Sequence, residues 1–293
     1  MRAATAHSAT YPVGGMSQFI IRMAERARQD GVRIFLSEPA EKIRLDAGGN
    51  KPFTITTPSY SVKAKRLVIA VDAKAFRHVR GNLAKMIQAQ PQFNDLVGVK
   101  VVKIAQWWPN AWWLSAVPGK DVRRAWTTEH CLNAIEIPIN RYEADQMVTR
   151  SVHDDDIRCV NFWEYTARLG TQSVEAEIRR GIEYLFPGVS IPTPLKTRVP
   201  VWPAAWYGLR GGSPFTNADI AQWALEPIPG VPVSLVGESY NPQRSGWSDG
   251  AYKSSINTLN AKFAMNLPVA PQLLRASTAS LEPSRRSSRS QGH

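Results

Sequence analysis

Cysteine is nearly absent from this chain: Cys131 and Cys159 are the two among 293 residues. So few exclude the disulfide framework of a small secreted domain, and the expectation is two reduced thiols in a cytoplasmic protein. Histidine is scarce too, five in all and scattered, and without a Cys or His cluster no metal site is expected. The run Asp154-Asp155-Asp156 has no spaced fourth ligand and reads as a turn. No stretch of about 20 consecutive apolar residues occurs, so no membrane span is predicted. Residues 1–7 lack the apolar core of a secretion signal. A Gly-x-Gly-x-x-Gly run is also missing. The glycine pairs at 14–15, 48–49 and 211–212 do not have that spacing, so no pyrophosphate-cradling strand–loop–helix unit is visible.

Against these absences stand 43% hydrophobic residues, enough for a sizeable core, and a net charge of +12. The basic residues are spread along the chain, with one local concentration at Arg285, Arg286 and Arg289. That pattern predicts a solvated surface and a disordered basic tail over 267–293, with no nucleic-acid site. The tryptophan-rich stretch 107–126 fits a stacking surface, an aromatic-lined pocket or plain core, and composition does not separate them.

Periodicity gives the elements. A helix is predicted over Ser17 to Gln29, with Phe19, Ile20, Met23 and Ala27 as its apolar stripe, then a strand over Val32 to Leu36. Glu38 to Ile43 leads into a further strand. Phe53 to Thr57 and Tyr60 to Lys63 read as a hairpin, and Arg66 to Val71 as an apolar strand. Residues 73–95 read as one amphipathic helical stretch, with Phe76, Val79, Leu83 and Met86 at helical spacing. Strands are predicted from Val97, over Val122 to Thr128, Cys131 to Ile137 and Asp156 to Tyr165. A helix over Gln172 to Phe186 and a strand over Arg198 to Trp202 follow, then a loop from Trp206.

The most informative stretch is 231–263. Val231 to Val236 is apolar and β-branched, a buried strand that Gly237 ends. A turn-rich loop follows, and a helix starts near Ser248, with Asp249 in its first turn. A strand, a small-residue loop and a helix N-terminus make a corner suited to an anion.

Gly237-Glu238, then Gly246-Trp247-x-x-Gly250-Ala251 opening a helix, resembles the C-terminal FAD-binding segment of the flavin-containing amine oxidases. The order of Gly14-Gly15, helix, strand, Glu38-Pro39-Ala40-Glu41-Lys42-Ile43, hairpin and Arg66 to Val71 is similar to the same family over residues 11–262, although Asp72 stands where the family usually has proline. The resemblance implies non-covalent FAD held by Ala40, Gly237, Glu238, Gly246, Trp247, Ser248, Asp249, Gly250 and Ala251, with Trp247 beside the flavin ring. It implies that a lysine on the strand before Trp112-Trp113 holds a water at flavin N5. Lys103 has that spacing and Lys100 is the competitor.

The implied fold is α/β plus α+β. A partial, Rossmann-like FAD-binding domain from 11–72 and 225–265 joins a mixed-sheet substrate domain over 73–224. The implied activity is oxidation of a small amine or amino acid, with hydride passing to flavin and dioxygen to peroxide. A separate chain could supply the missing Gly-rich half. A non-catalytic relic or binding subunit, and a desaturase or porphyrinogen-type oxidase on the same fold, stay open at this point.

Overall fold

The computed structural model describes residues 15–46, 48–116, 124–126, 131–132, 134–136, 147–153, 156–243 and 248–268. Helix α1 (Ser17–Gln29) has the limits that periodicity predicts, and its apolar stripe is largely exposed. No residue of α1 is buried; Ile20 is 68% and Met23 63% exposed. The strand expected over Val32 to Leu36 does not form. That run is irregular, with Val32, Phe35 and Leu36 exposed. A strand needs a neighbour to take its backbone hydrogen bonds, and no described strand pairs here.

β1 (Lys42–Leu45), β2 (Phe53–Thr56) and β3 (Ser61–Ala64) form an antiparallel meander, with Ile43 opposite Ile55 and Phe53 opposite Ala64. Glu38 fixes its turn, accepting from Thr57 Oγ1 at 2.5 Å and from the Ser59 N–H at 3.2 Å. The Thr57 hydroxyl chiefly holds this carboxyl below its ordinary pKa. β4 (Leu67–Ile69) pairs in parallel with β11 (Val233–Leu235), and these two make a sheet of their own.

The helical stretch predicted over 73–95 is broken into α2 (Ala73–Phe76), α3 (Asn82–Gln88) and α4 (Pro91–Asn94). The break falls at Gly81, φ 107°, where the chain docks on β1: Ile43 N–H donates to Arg80 O and Arg80 N–H to Glu41 O, both at 2.8 Å. Phe76, Val79 and Leu83 are buried as expected, but Ile87 takes the inward place and Met86 is exposed.

β5 (Leu96–Trp108) is the spine of a six-stranded sheet. On one side it pairs with β10 (Val201–Leu209) and β9 (Lys196–Arg198). On the other lies β8 (Met147–His153), followed by β7 (Ala134–Glu136) and β6 (Arg124–Trp126). β6 and β7 fall within predicted strands, whereas Trp206 to Leu209, expected as loop, completes β10. The strand expected from Asp156 is instead helix α6 (Ile157–Leu169). The Asp156 side chain caps it by accepting from the Arg158 N–H, and Val160, Trp163 and Thr166 are buried at helical spacing. α7 (Thr171–Leu185) matches expectation. α8 (Asn217–Leu225) opens on a Thr216/Asp219 capping box.

Two cores result. One joins Ile43, Phe53 and Ile69 to Phe76, Leu83, Phe93, Ile220, Leu235 and Tyr240. The other packs α6 and α7 on one face of β5 through Val102, Ile104, Trp108, Trp163, Ile178 and Ile182, with Trp112 and Trp113. α9 (Ser248–Phe263) follows β11 in the chain. Of the tail expected to be disordered, Leu267 is tied back to Asn260 of α9 by bonds of 2.8 and 3.0 Å, and 269–293 lie outside the described residues. Among the described residues no helix is long and apolar enough to cross a membrane.

The expectation of two free thiols is overturned. Cys131 and Cys159 form a disulfide, and Trp163 Nε1–H donates to Cys131 O beside it. Two cysteines suffice once folding brings them together, and the cytoplasmic expectation loses the support it drew from unpaired thiols. The bond closes a separation of 28 residues, so the Cys131→Ser/Cys159→Ser pair should lower stability by about 3 kcal/mol. Urea unfolding with and without reductant measures this. Coincident curves would mean that the bond does not form in solution.

Candidate functional site

The corner predicted from the sequence is present. β11 is buried throughout, and Gly237 follows it at φ 153°, a conformation that favours glycine. A 3-10 turn over Glu238–Tyr240 then leads towards α9. Ser254 binds the helix to the strand end, its Oγ accepting from Gly237 N–H at 2.9 Å and donating to Ala251 O at 2.9 Å. In α9, Ser248 and Asp249 are exposed, Gly250 is buried and Ala251 is partly buried. Asp249 is paired with Lys253 at 3.1 Å. Gly246 and Trp247 lie outside the described residues. Ala40 is half-buried at the entry to β1, next to Glu41, whose N–H reaches Thr56 O.

Glu238 faces inward, where Oε1 accepts from Tyr207 N–H and from Ser239 Oγ, each at 3.0 Å. Tyr207 is a residue the sequence did not single out. Its hydroxyl donates to Asp72 Oδ1 at 2.6 Å and accepts from Lys74 N–H at 2.8 Å, while Asp72 also accepts from Ala75 N–H and so caps α2. This explains an aspartate where the family resemblance led one to expect proline. Burial, reinforced by Asp72, raises the Tyr207 pKa; burial chiefly does the same for Tyr240.

For Asp72, burial pulls upward but the bonds from Tyr207, Ala75 and Lys74 outweigh it, so its carboxyl sits below the ordinary 3.8. A carboxylate depressed by folding stabilises the protein above its unfolded pKa, and the contribution is lost as pH falls through the lower folded value. Asp72→Asn should therefore lower the melting temperature at neutral pH and reduce its fall below pH 3.8. Parallel melting curves for variant and parent across that range would contradict the assignment.

The competition between the two lysines has a structural answer in part. Lys100 is committed to Glu164 of α6 at 2.7 Å. Lys103 is exposed and makes no ion pair among the described residues. Its Nζ stands 5.4 Å from the centroid of the Trp202 ring, a second residue the sequence reading did not pick. Lys103 is on a central strand, not an edge. Trp112 and Trp113 pack with the buried residues Val102, Ile104 and Trp108, on the face of β5 away from Lys103.

The corner suits a bound nucleotide in part. Tyr240 Oη and Asn241 Nδ2 are buried and have no hydrogen-bond partner among the described residues. Buried polar atoms are normally paired, so these two could bond a group brought to the corner. Among the described residues no three His, Cys, Asp or Glu converge as a metal would need.

A family model described as flavin containing amine oxidoreductase matches residues 2–258. No curated protein matches the chain. Among solved structures, a putrescine oxidase bound to putrescine superposes with a TM-score of 0.65 at 17% identity, over 86% of this chain and 53% of its own. Cyclohexylamine oxidase from Brevibacterium oxydans gives 0.64 at 16%, over 84% and 52%. A putative protoporphyrinogen oxidase from Exiguobacterium gives 0.60 at 12%, over 86% and 51%. The fold is thus shared, and the chain spans about half the length of these structures.

Proposed function

Because the chain belongs to the flavin-containing amine oxidoreductases, we propose that it serves the FAD-dependent oxidation of a small amine or amino acid, with dioxygen as final acceptor. The observation that carries this reading is the β11–Gly237–α9 corner, with Tyr240 Oη and Asn241 Nδ2 buried and unsatisfied by any described residue. When bound, the flavin supplies hydride acceptance, which no side chain can provide.

The rest falls to the chain. Gly237, Gly246 and Gly250 would leave room for the cofactor beside the backbone, and the amides around Ser248, Asp249 and Ala251 would hold its anionic part. Glu238 and Ala40 would contact it, Trp247 would stand beside its ring, and no covalent bond is expected. Lys103 would hold a water at the reacting centre with its ammonium. On this reading 11–72 and 225–265 are the FAD-binding portion and 73–224 the substrate portion. The exposed apolar stripe of α1 supports a partner chain that brings the Gly-rich strand–loop–helix unit.

The test is anaerobic. With excess FAD and that unit supplied by a second polypeptide, an amine or amino-acid substrate should bleach the visible flavin band. Lys103→Met should slow the bleaching by on the order of a hundredfold and leave the melting curve unchanged. Bleaching no faster than with free FAD sinks the reading, and an unchanged rate in the variant sinks the role of Lys103.

A further inference from the structure

A cleft of about 410 Å³ opens where α2 and α4 meet the first residues of β5 and the β10 strand beside it. Three cations line it, Lys74, Arg77 and Arg210, all exposed, and no Asp or Glu does. None of the three makes an ion pair among the described residues. One residue holds both arginines: Arg77 Nη1 donates to Asn94 Oδ1 at 3.3 Å, and Arg210 Nη2 donates to Asn94 O at 2.9 Å. Asn94 is itself fixed, since its Nδ2 donates to Gln88 O and Gln90 O, both at 3.1 Å. Arg77 also lies over the Phe93 ring, 4.8 Å from its centroid. The carboxylates adjoining the lining in sequence are engaged. Asp72 Oδ1 accepts from Tyr207 Oη at 2.6 Å, and Asp95 Oδ2 accepts from Ser213 Oγ at 2.5 Å. Lys74 feels the charge of Asp72 without pairing with it. The rest of the cleft is largely apolar, with Leu96, Val97 and Pro203.

We infer that this cleft binds a small phosphate monoester carrying an apolar organic group. Two guanidinium groups anchored on one asparagine repel each other, and an anion bonded to their remaining N–H groups relieves that repulsion. Each guanidinium has five N–H groups, and one of them is spent on Asn94. A carboxylate has two oxygens, which a single guanidinium fork satisfies. A phosphate monoester brings close to two negative charges and three acceptor oxygens, enough for two guanidiniums and the Lys74 ammonium. Leu96, Val97 and Pro203 suit the organic part, and the volume falls within the range of about 300–1,000 Å³ usual for small-molecule sites. Lys103 is five residues along β5 from Gly98, which lines the cleft, and so about 17 Å away. This is a second site, and it does not rest on the oxidase reading.

The experiment needs no flavin. The full chain is titrated calorimetrically with phenyl phosphate, inorganic phosphate and benzoate. Phenyl phosphate should bind at least about tenfold tighter than benzoate, and tighter than inorganic phosphate. Arg77→Gln/Arg210→Gln should weaken phenyl phosphate at least about tenfold with an unchanged circular dichroism spectrum. Both arginines also tie down Asn94, so two gentler variants guard against a folding defect. Lys74→Gln removes a cation that has no ion pair, and Val97→Asp puts a carboxylate on the exposed apolar wall. Each should weaken phenyl phosphate at least about threefold. No binding of phenyl phosphate, or benzoate binding equally well, overturns the inference. Binding that all these variants leave unchanged also overturns it, because the phosphate then sits elsewhere, with the N-terminus of α9 as the competing place. Inorganic phosphate binding as tightly as phenyl phosphate overturns the role of the apolar wall.

Discussion

Gly81→Val should abolish cooperative folding. An added Cβ at this position would lie 2.0 Å from the Ile43 carbonyl oxygen and 2.7 Å from its carbon, both backbone atoms that no rotamer change can move. The contact is close because Arg80 is hydrogen-bonded to both Glu41 and Ile43, so the chain entering α3 runs alongside β1. Relieving the overlap means pulling that segment off β1 and opening the core around Ile43, Phe53 and Leu83. The φ of 107° adds backbone strain for any L side chain. Losses above about 4 kcal/mol are exceptional for one substitution, and they compare with a whole-domain stability of about 5–15 kcal/mol. Gly230→Ala is the matched control, since φ is +76° there but nothing lies within 4 Å of the added Cβ. It should cost about 1 kcal/mol. Urea unfolding followed by circular dichroism compares the two. A Gly81→Val protein with a midpoint near that of Gly230→Ala would show that β1 and α3 are free to separate.

The second large effect concerns cofactor retention: the 293-residue chain by itself should leave gel filtration without FAD. No Gly-x-Gly-x-x-Gly run is present to cradle the pyrophosphate. The only parallel sheet among the described residues is the β4–β11 pair, and Val68 on β4 is exposed. Parallel strands are normally covered on both faces, so a lone pair of them is poorly held. Binding is thereby weakened twice. One helix N-terminus is lacking for the phosphates, and the β4–β11 pair has no third strand beside it among the described residues. Flavin occupancy after filtration should fall below about one tenth, and it should recover when a polypeptide carrying the strand–Gly-rich loop–helix unit co-elutes. Stoichiometric FAD on a monomer of this chain alone would show that the site is complete without that unit.

What the sequence determined by itself was local. The limits of α1, the extent of α7, the β2–β3 hairpin, the β5 strand and the β11-to-α9 corner were all legible, because periodicity, caps and turn residues act within a few positions of each other. The Thr216/Asp219 capping box of α8 was present in the sequence and went unread. Tertiary structure alone decided the rest. Val32 to Leu36 has strand composition and no strand to pair with. Asp156 to Tyr165 is rich in β-branched and aromatic residues, yet it is helical because Val160 and Trp163 must reach one core while Cys159 reaches Cys131. The glycine at 81 looks like any helix breaker until Ile43, 38 positions earlier, is placed against it. Lys100 and Lys103 are equivalent in composition and differ only in the face of β5 they occupy, one meeting Glu164 and the other Trp202. Each of these outcomes depends on a partner distant in the chain. A short window of sequence encodes which faces of an element are apolar, and only the folded chain brings up what each face meets.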